Sequence, residues 1–204
     1  MEKFLALSQE KQNKIIEAAM KVFGEAGYKK AYISEIAAKA GISKAMVFYY
    51  FGSKKTLYLY LIEYARRIII SEMQEKRDCS NTDFFERIIE AARLKLSMMS
   101  RYHALYGFLA SIYCEEDPDV VPEIKETFSK GEEIRSEIVL NGADERKFKD
   151  GVDPNLVMNI IVKFTEGVVG SRLDNTSNMD EIMEEFTQSL VLLKNNLYKE
   201  EFLR

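Results

Sequence analysis

Prolines number three and glycines ten in 204 residues, too few to punctuate a chain rich in strands and turns. Ala, Leu, Ile, Lys, Glu and Met take their place, which is the composition of long helices, so the expected fold class is all-α with about nine helices. Histidine occurs once, at His103, and cysteine twice, at Cys79 and Cys114. No grouping of them has zinc or haem ligand spacing, so no metal or cofactor is expected and both cysteines read as reduced thiols. Nucleophile elbows, phosphate loops and Ser/His/Asp groupings are also missing, and one histidine limits acid–base chemistry, which argues against an enzyme. No uncharged run is long enough to span a bilayer, and the apolar start Met1–Ser8 is too short for a secretory signal. A cytoplasmic protein with no membrane partner is the expectation.

The net charge of −4 hides an asymmetry. Met1 to Tyr60 carries ten Lys against five Glu, a net +5, while the remaining residues carry 19 basic against 28 acidic side chains, a net −9. A basic segment suits a phosphate backbone, and an acidic remainder keeps the rest of the surface off nucleic acid. A chance imbalance on solvated faces is the bland alternative.

Helical spacing of Ile15, Ala19, Val22 and Ala26, with Ile16 and Phe23, predicts a helix from about Gln9 to Ala26, stopped at Gly27. Two compact helices are then expected over Ile33–Ala40 and from Ser43 to about Phe51. Ser53 caps a fourth to roughly Lys76, apolar on more than one face and so suited to connect two domains. Further helices are predicted over Asp83–Ser100, Tyr102–Tyr113 and Val121–Leu140. Asp153–Pro154, an N-cap followed by proline at the first helical position, opens another to about Leu173. The last runs from Asp180 to about Tyr198.

The pair Ile33–Ala40 and Ser43–Phe51 carries the chemistry. Ala37 is small enough for a close helix crossing, and Gly41 permits the positive φ of a tight turn. With Ile36, Ala40, Ile42, Val47 and Phe51 facing inward, the outward set is Lys44, Ala45, Met46 and Tyr49, with Phe48 and Tyr50 nearer the edge. A recognition helix presents such residues to the major groove: Ala45 and Met46 to thymine methyls, Lys44 to guanine acceptors or a phosphate. Tyr49, Tyr50 and the Lys54–Lys55 pair suit phosphates. A three-helix packing unit that meets no nucleic acid is the plain alternative.

These residues resemble the DNA-binding domain of the TetR family. The resemblance rests on Ile16-x-Ala18-Ala19-x-x-Val22-Phe23-x-x-x-Gly27-Tyr28, on Ile33-x-Glu35-Ile36-Ala37-x-x-Ala40-Gly41-Ile42-Ser43-Lys44, and on Val47-Phe48-Tyr49-Tyr50-Phe51-x-Ser53-Lys54-x-x-Leu57, about a quarter of the chain. It implies a helix-turn-helix domain over residues 1–53, with Ser43 among its DNA-contacting residues, and a helical effector-binding and dimerisation domain over 54–204. It also implies a homodimer on a palindromic operator, most simply a repressor released by a small effector. Activation, or a small-molecule-binding or enzyme-like domain fused to a DNA anchor, are the alternatives. This chain departs from the family at Ala45-Met46, at Tyr32 where a Thr commonly caps the second helix and touches phosphate, and at Tyr50 where a His is common. The Tyr32 hydroxyl takes over the phosphate contact in this reading.

Beyond Lys55 no motif names a ligand. Met98, Met99, Tyr102, Tyr106, Phe128 and Phe164 are adaptable or aromatic residues suited to a pocket for a largely apolar compound, against the reading that they are ordinary core. His103 is the candidate polar anchor, against that of a surface histidine. By the resemblance, the last two long helices form the dimer seam, where Gly167 and Gly170 allow close backbones; Glu166, three residues from Lys163, reads by spacing as a surface ion pair and not as a catalytic group.

Overall fold

The structure, a computed structural model, describes residues 1–76, 78, 80–172 and 179–203. Among them are ten α-helices: α1 (Glu2–Leu5), α2 (Gln9–Lys30), α3 (Ile33–Ala40), α4 (Lys44–Phe51), α5 (Lys54–Lys76), α6 (Phe84–Arg101), α7 (His103–Tyr113), α8 (Val121–Leu140), α9 (Pro154–Arg172) and α10 (Met179–Leu197). Short 3₁₀ turns cover Glu145–Lys147 and Glu200–Phe202, and an isolated antiparallel bridge joins Phe148 and Tyr198. The all-α expectation holds, with one helix more than expected. That extra helix is α1, too short to show a period. Gly27 does interrupt α2, with φ 70° and ψ 173°, but helical bonding resumes beyond it to Lys30. Cys79 and Leu173, and the surroundings of Glu166 and Gly170, lie outside the described residues.

Two compact units emerge, Met1–Glu72 with Ser97–Gly131, and Met73–Leu96 with Glu132–Arg204. This grouping by contact differs from the expected boundary after residue 53, because α7 packs along α2. Gly24 makes that packing close: a Cβ there would lie 3.0 Å from the carbonyl carbon of Gly107 and 3.0 Å from the backbone nitrogen of Phe108.

The first unit is built on aromatic rings. Phe23, Tyr28, Tyr58 and Phe108 form one cluster, with Phe23–Tyr58, Tyr28–Tyr58 and Tyr58–Phe108 centroids 4.9, 5.0 and 5.3 Å apart. Phe4, Phe51 and Tyr60 form another. Edge-on pairs such as Tyr58–Phe108 and Phe4–Tyr60 add to what burial alone supplies. In the second unit Phe84, Phe85, Phe148 and Tyr198 pack together. Arg87, buried there, donates from Nε to the Val139 carbonyl, from Nη1 to that of Asn81 and from Nη2 to that of Asn141, all within 2.8 Å. A buried guanidinium is tolerated because its donors are met in this way.

Candidate nucleic-acid interface

Gly41 has φ 70° and ψ 30°, the left-handed conformation that lets α3 end and the chain turn at once into α4. Ser43 caps α4, its Oγ accepting from the Met46 backbone nitrogen at 3.2 Å. Val47, Tyr50 and Phe51, at i, i+3 and i+4, are buried. The opposite face carries Lys44, Ala45, Phe48 and Tyr49, all exposed, and Met46 is half-buried at its edge. Helical geometry thus sorts the eight residues of α4 cleanly, since 100° per residue puts 44 with 48 and 45 with 49.

Two placements correct the sequence reading. Tyr50 does not lie at the outer edge: it is buried, its ring edge-on to Phe4 at 6.2 Å and to Phe51 at 6.5 Å. Phe48 takes the outward place, exposed, with the Lys44 Nζ 6.0 Å from its ring centroid. The i, i+4 spacing from Lys44 was the available signal. Tyr32 is 70% exposed at the N-cap of α3 and makes no side-chain capping bond, so its hydroxyl is directed to solvent and not to the helix.

The Lys54–Lys55 pair is committed within the first unit. Lys54 donates to the Lys29 carbonyl at 3.2 Å and stands 4.8 Å from the Tyr28 ring centroid. Burial pulls its pKa down, against the opposing influence of Asp117 and Glu115. Lys55 pairs with Glu123 at 2.8 Å and with Asp119 at 3.6 Å. Tyr28 completes this corner: its backbone nitrogen donates to Glu115 Oε2 at 2.7 Å and its hydroxyl to Asp119 Oδ2 at 2.5 Å. The Tyr28 hydrogen bond first, and Lys55 after it, hold the Asp119 carboxyl below its ordinary range, and Lys55 does the same for Glu123. Lys54 is thus held by the Lys29 carbonyl and the Tyr28 ring, and Lys55 is neutralised by an acidic stretch that runs from the α7–α8 loop into α8. Its carboxylates repel phosphate, which sets an edge to the basic surface.

Of the expected effector residues, Met98 is fully buried and Met99, Tyr102, Tyr106 and Phe128 are half-buried, all in the first unit. The Tyr106 hydroxyl is buried with no hydrogen-bond partner, and burial, with Glu72 behind it, pushes its pKa up to about 12. Tyr102 donates to Glu72 Oε1 at 3.3 Å, and Arg101 pairs with Glu72 Oε2 at 2.8 Å. His103 is exposed and does not serve as a buried anchor. Phe164 belongs to the second unit, 41% exposed on α9 in line with Leu156 and Ile160, at 58% and 53%. An open cleft of about 330 Å³ in that unit, lined by Arg146, Lys149, Pro154 and Lys199 among others, contains none of the expected effector residues. Among the described residues no group of His, Cys, Asp and Glu side chains could hold a metal ion, and no helix is long and apolar enough to cross a membrane.

Residues 15–61 match the family model of bacterial regulatory proteins, tetR family. Over those residues the chain carries the DNA-binding domain of the TetR family. The chain is 24% identical over 176 residues to the fatty acid metabolism regulator protein of Bacillus subtilis, a match covering 83% of the chain and 87% of that relative. RutR of Escherichia coli is 32% identical over 94 residues, 45% of the chain, which spans less than half of RutR's own length (42%). Among solved structures, FadR of B. subtilis in complex with stearoyl-CoA has the same fold, with a TM-score of 0.72 at 21% identity, covering 87% of the regulator and 96% of that chain. The regulator is a DNA-binding transcription factor, and its named relatives are transcriptional regulators.

Proposed function

We propose that this regulator is a cytoplasmic repressor that binds a palindromic operator as a homodimer and leaves it when a small, largely apolar effector binds. The observation that carries the reading is the division of α4 into a buried face of Val47, Tyr50 and Phe51 and an exposed face of Lys44, Ala45, Phe48 and Tyr49. Lys44, Ala45, Met46 and Tyr49 enter the major groove, while Tyr32 and Ser43 contact flanking phosphates. Residues 1–53 form the DNA-binding head by role, and 54–204 sense the effector and dimerise.

The dimer reading is supported by an uncovered apolar stripe. Leu156, Ile160 and Phe164 recur at i, i+4 and i+8 on α9, and Val191 and Leu192 are exposed on α10. Large apolar side chains in such a line mark a surface that another copy covers, and two-fold symmetry suits two operator half-sites. The effector reading is supported by Met98, Met99, Tyr102, Tyr106 and Phe128, and by the stearoyl-CoA that the B. subtilis FadR structure holds. An apolar body lies against these side chains and a hydrogen-bond acceptor meets the unpartnered Tyr106 hydroxyl, which stays protonated and able to donate.

A gel shift on the DNA upstream of the regulator's own coding region tests the reading. The wild type should shift it and stearoyl-CoA should release it. Undiminished binding by the Lys44→Ala, Tyr49→Ala double variant would remove α4 as the reading helix. A complex untouched by stearoyl-CoA would remove the acyl-chain form of the effector.

A further inference from the structure

Helix α1 lies outside the segment that carries the family resemblance, yet it is fastened to the recognition helix. Phe4 is fully buried, with its ring centroid 4.7 Å from that of Phe51 at the end of α4 and 5.4 Å from that of Tyr60 on α5. Gln12 Nε2 ties down the connection to α2 by donating to the Leu5 and Leu7 carbonyls at 3.1 and 2.9 Å. With Phe4 turned inward, the neighbouring Lys3 projects outward. Its Nζ stands 3.9 Å from the ring centroid of Tyr49, which is 55% exposed on the groove-facing side of α4.

The company Lys3 keeps is informative. Lys14, Lys39 and Lys55 are each paired with a carboxylate. Lys3 is in no ion pair among the described residues, and an aromatic ring is its close partner. A cation over a ring keeps its full charge, and an ammonium there presents N–H donors on the side away from the ring. That is the state of a lysine ready for an anion. We propose that α1 is part of the DNA-reading surface, with Lys3 contacting a backbone phosphate beside the groove that α4 enters, and Phe4 as the residue that positions it. The inference rests on α4 being the recognition helix.

The test uses the full chain, a duplex of its own upstream DNA and an unrelated duplex of equal length, with binding followed by fluorescence anisotropy across about 50 to 200 mM salt. Lys3→Ala should reduce the slope of log affinity against log salt by about 0.9 for each protomer on the DNA, and should weaken both duplexes alike, as a phosphate contact does. Lys3→Arg should keep the slope. Glu2→Gln in the Lys3→Ala background restores the net charge without returning a cation to position 3, and should not restore the slope. An unchanged slope in Lys3→Ala, or full recovery with Glu2→Gln, overturns the proposal, the second outcome assigning Lys3 to the general field alone. Loss of binding by Lys44→Ala, Tyr49→Ala together with an unchanged Lys3→Ala slope rejects this inference and leaves the reading of α4 standing. Full binding by that double variant rejects the reading itself.

Discussion

Replacing Gly24 or Gly107 by alanine should move stability in opposite directions, although both residues lie inside helices of the first unit. Helix propensity alone favours Ala over Gly by about 0.8 to 1 kcal/mol, partly through the entropy of the unfolded chain. At Gly107 a Cβ meets nothing within 4 Å, so that gain is unopposed. At Gly24 the new methyl stands 3.0 Å from Gly107 C and Phe108 N, and 3.2 Å from the Gly107 carbonyl oxygen. All three are backbone atoms of α7, which no rotamer change moves aside. Overpacking of this kind costs about 1 to 3 kcal/mol, and a backbone neighbour puts it in the upper half of that range. Net of propensity, Gly24→Ala should destabilise by roughly 1 to 2 kcal/mol and Gly107→Ala stabilise by about 1 kcal/mol. The two differ by about 2 to 3 kcal/mol, and at about 2 to 4 °C per kcal/mol for a chain of this size the midpoints separate by about 4 to 12 °C. Thermal unfolding followed by far-ultraviolet circular dichroism measures it. Equal upward shifts in both variants would show that α2 and α7 do not meet at Gly24.

The Tyr28 corner should weaken in acid. Asp119 and Glu123 have folded pKa values depressed below their unfolded ones, so their stabilisation is complete above the ordinary carboxylate range near pH 4 and is lost as pH falls through the depressed values. Unfolding midpoints measured from pH 7 to 3 should fall less steeply for Asp119→Asn, Glu123→Gln than for the wild type, and parallel curves would refute the assignment. For the second unit, Ile160→Glu with Leu192→Glu should give a species of 23.6 kDa in light scattering where the wild type runs at twice that mass, with its helical signal retained because both positions are exposed. A wild-type monomer, or a variant that remains a dimer, counts against the stripe as the seam.

Local patterns were legible and distant partners were not. Ile33–Ala40 and Val121–Leu140 emerge with the predicted bounds because a periodic apolar face and its stop signals lie within a few residues of one another. Lys44, Ala45 and Tyr49 sit outward as the spacing required. Tyr50 went astray because several aromatic residues in succession carry no polarity contrast to show which ring is inside. Lys55 read as a phosphate ligand because its partners, Asp119 and Glu123, lie more than sixty residues away in sequence. Phe164 was grouped with Met98 and Phe128 on side-chain type, and only its exposure beside Leu156 and Ile160 separates it. Four residues of α1 are too few for a period, so the burial of Phe4 had no trace in the pattern.

The Gly24 crossing bears on how such a regulator changes its ligand over time. Side chains packed between two helices act as a cushion, since each has rotamers that take up part of any displacement. Backbone set against backbone has none, so a shift of α7 reaches α2 undamped. The side chains of α7 that face elsewhere, such as Tyr106, are then free to drift toward a new compound without rebuilding the linkage to the head. In the proposed effector reading, sensing and transmission occupy different sides of one helix, and selection can act on the first while leaving the second alone.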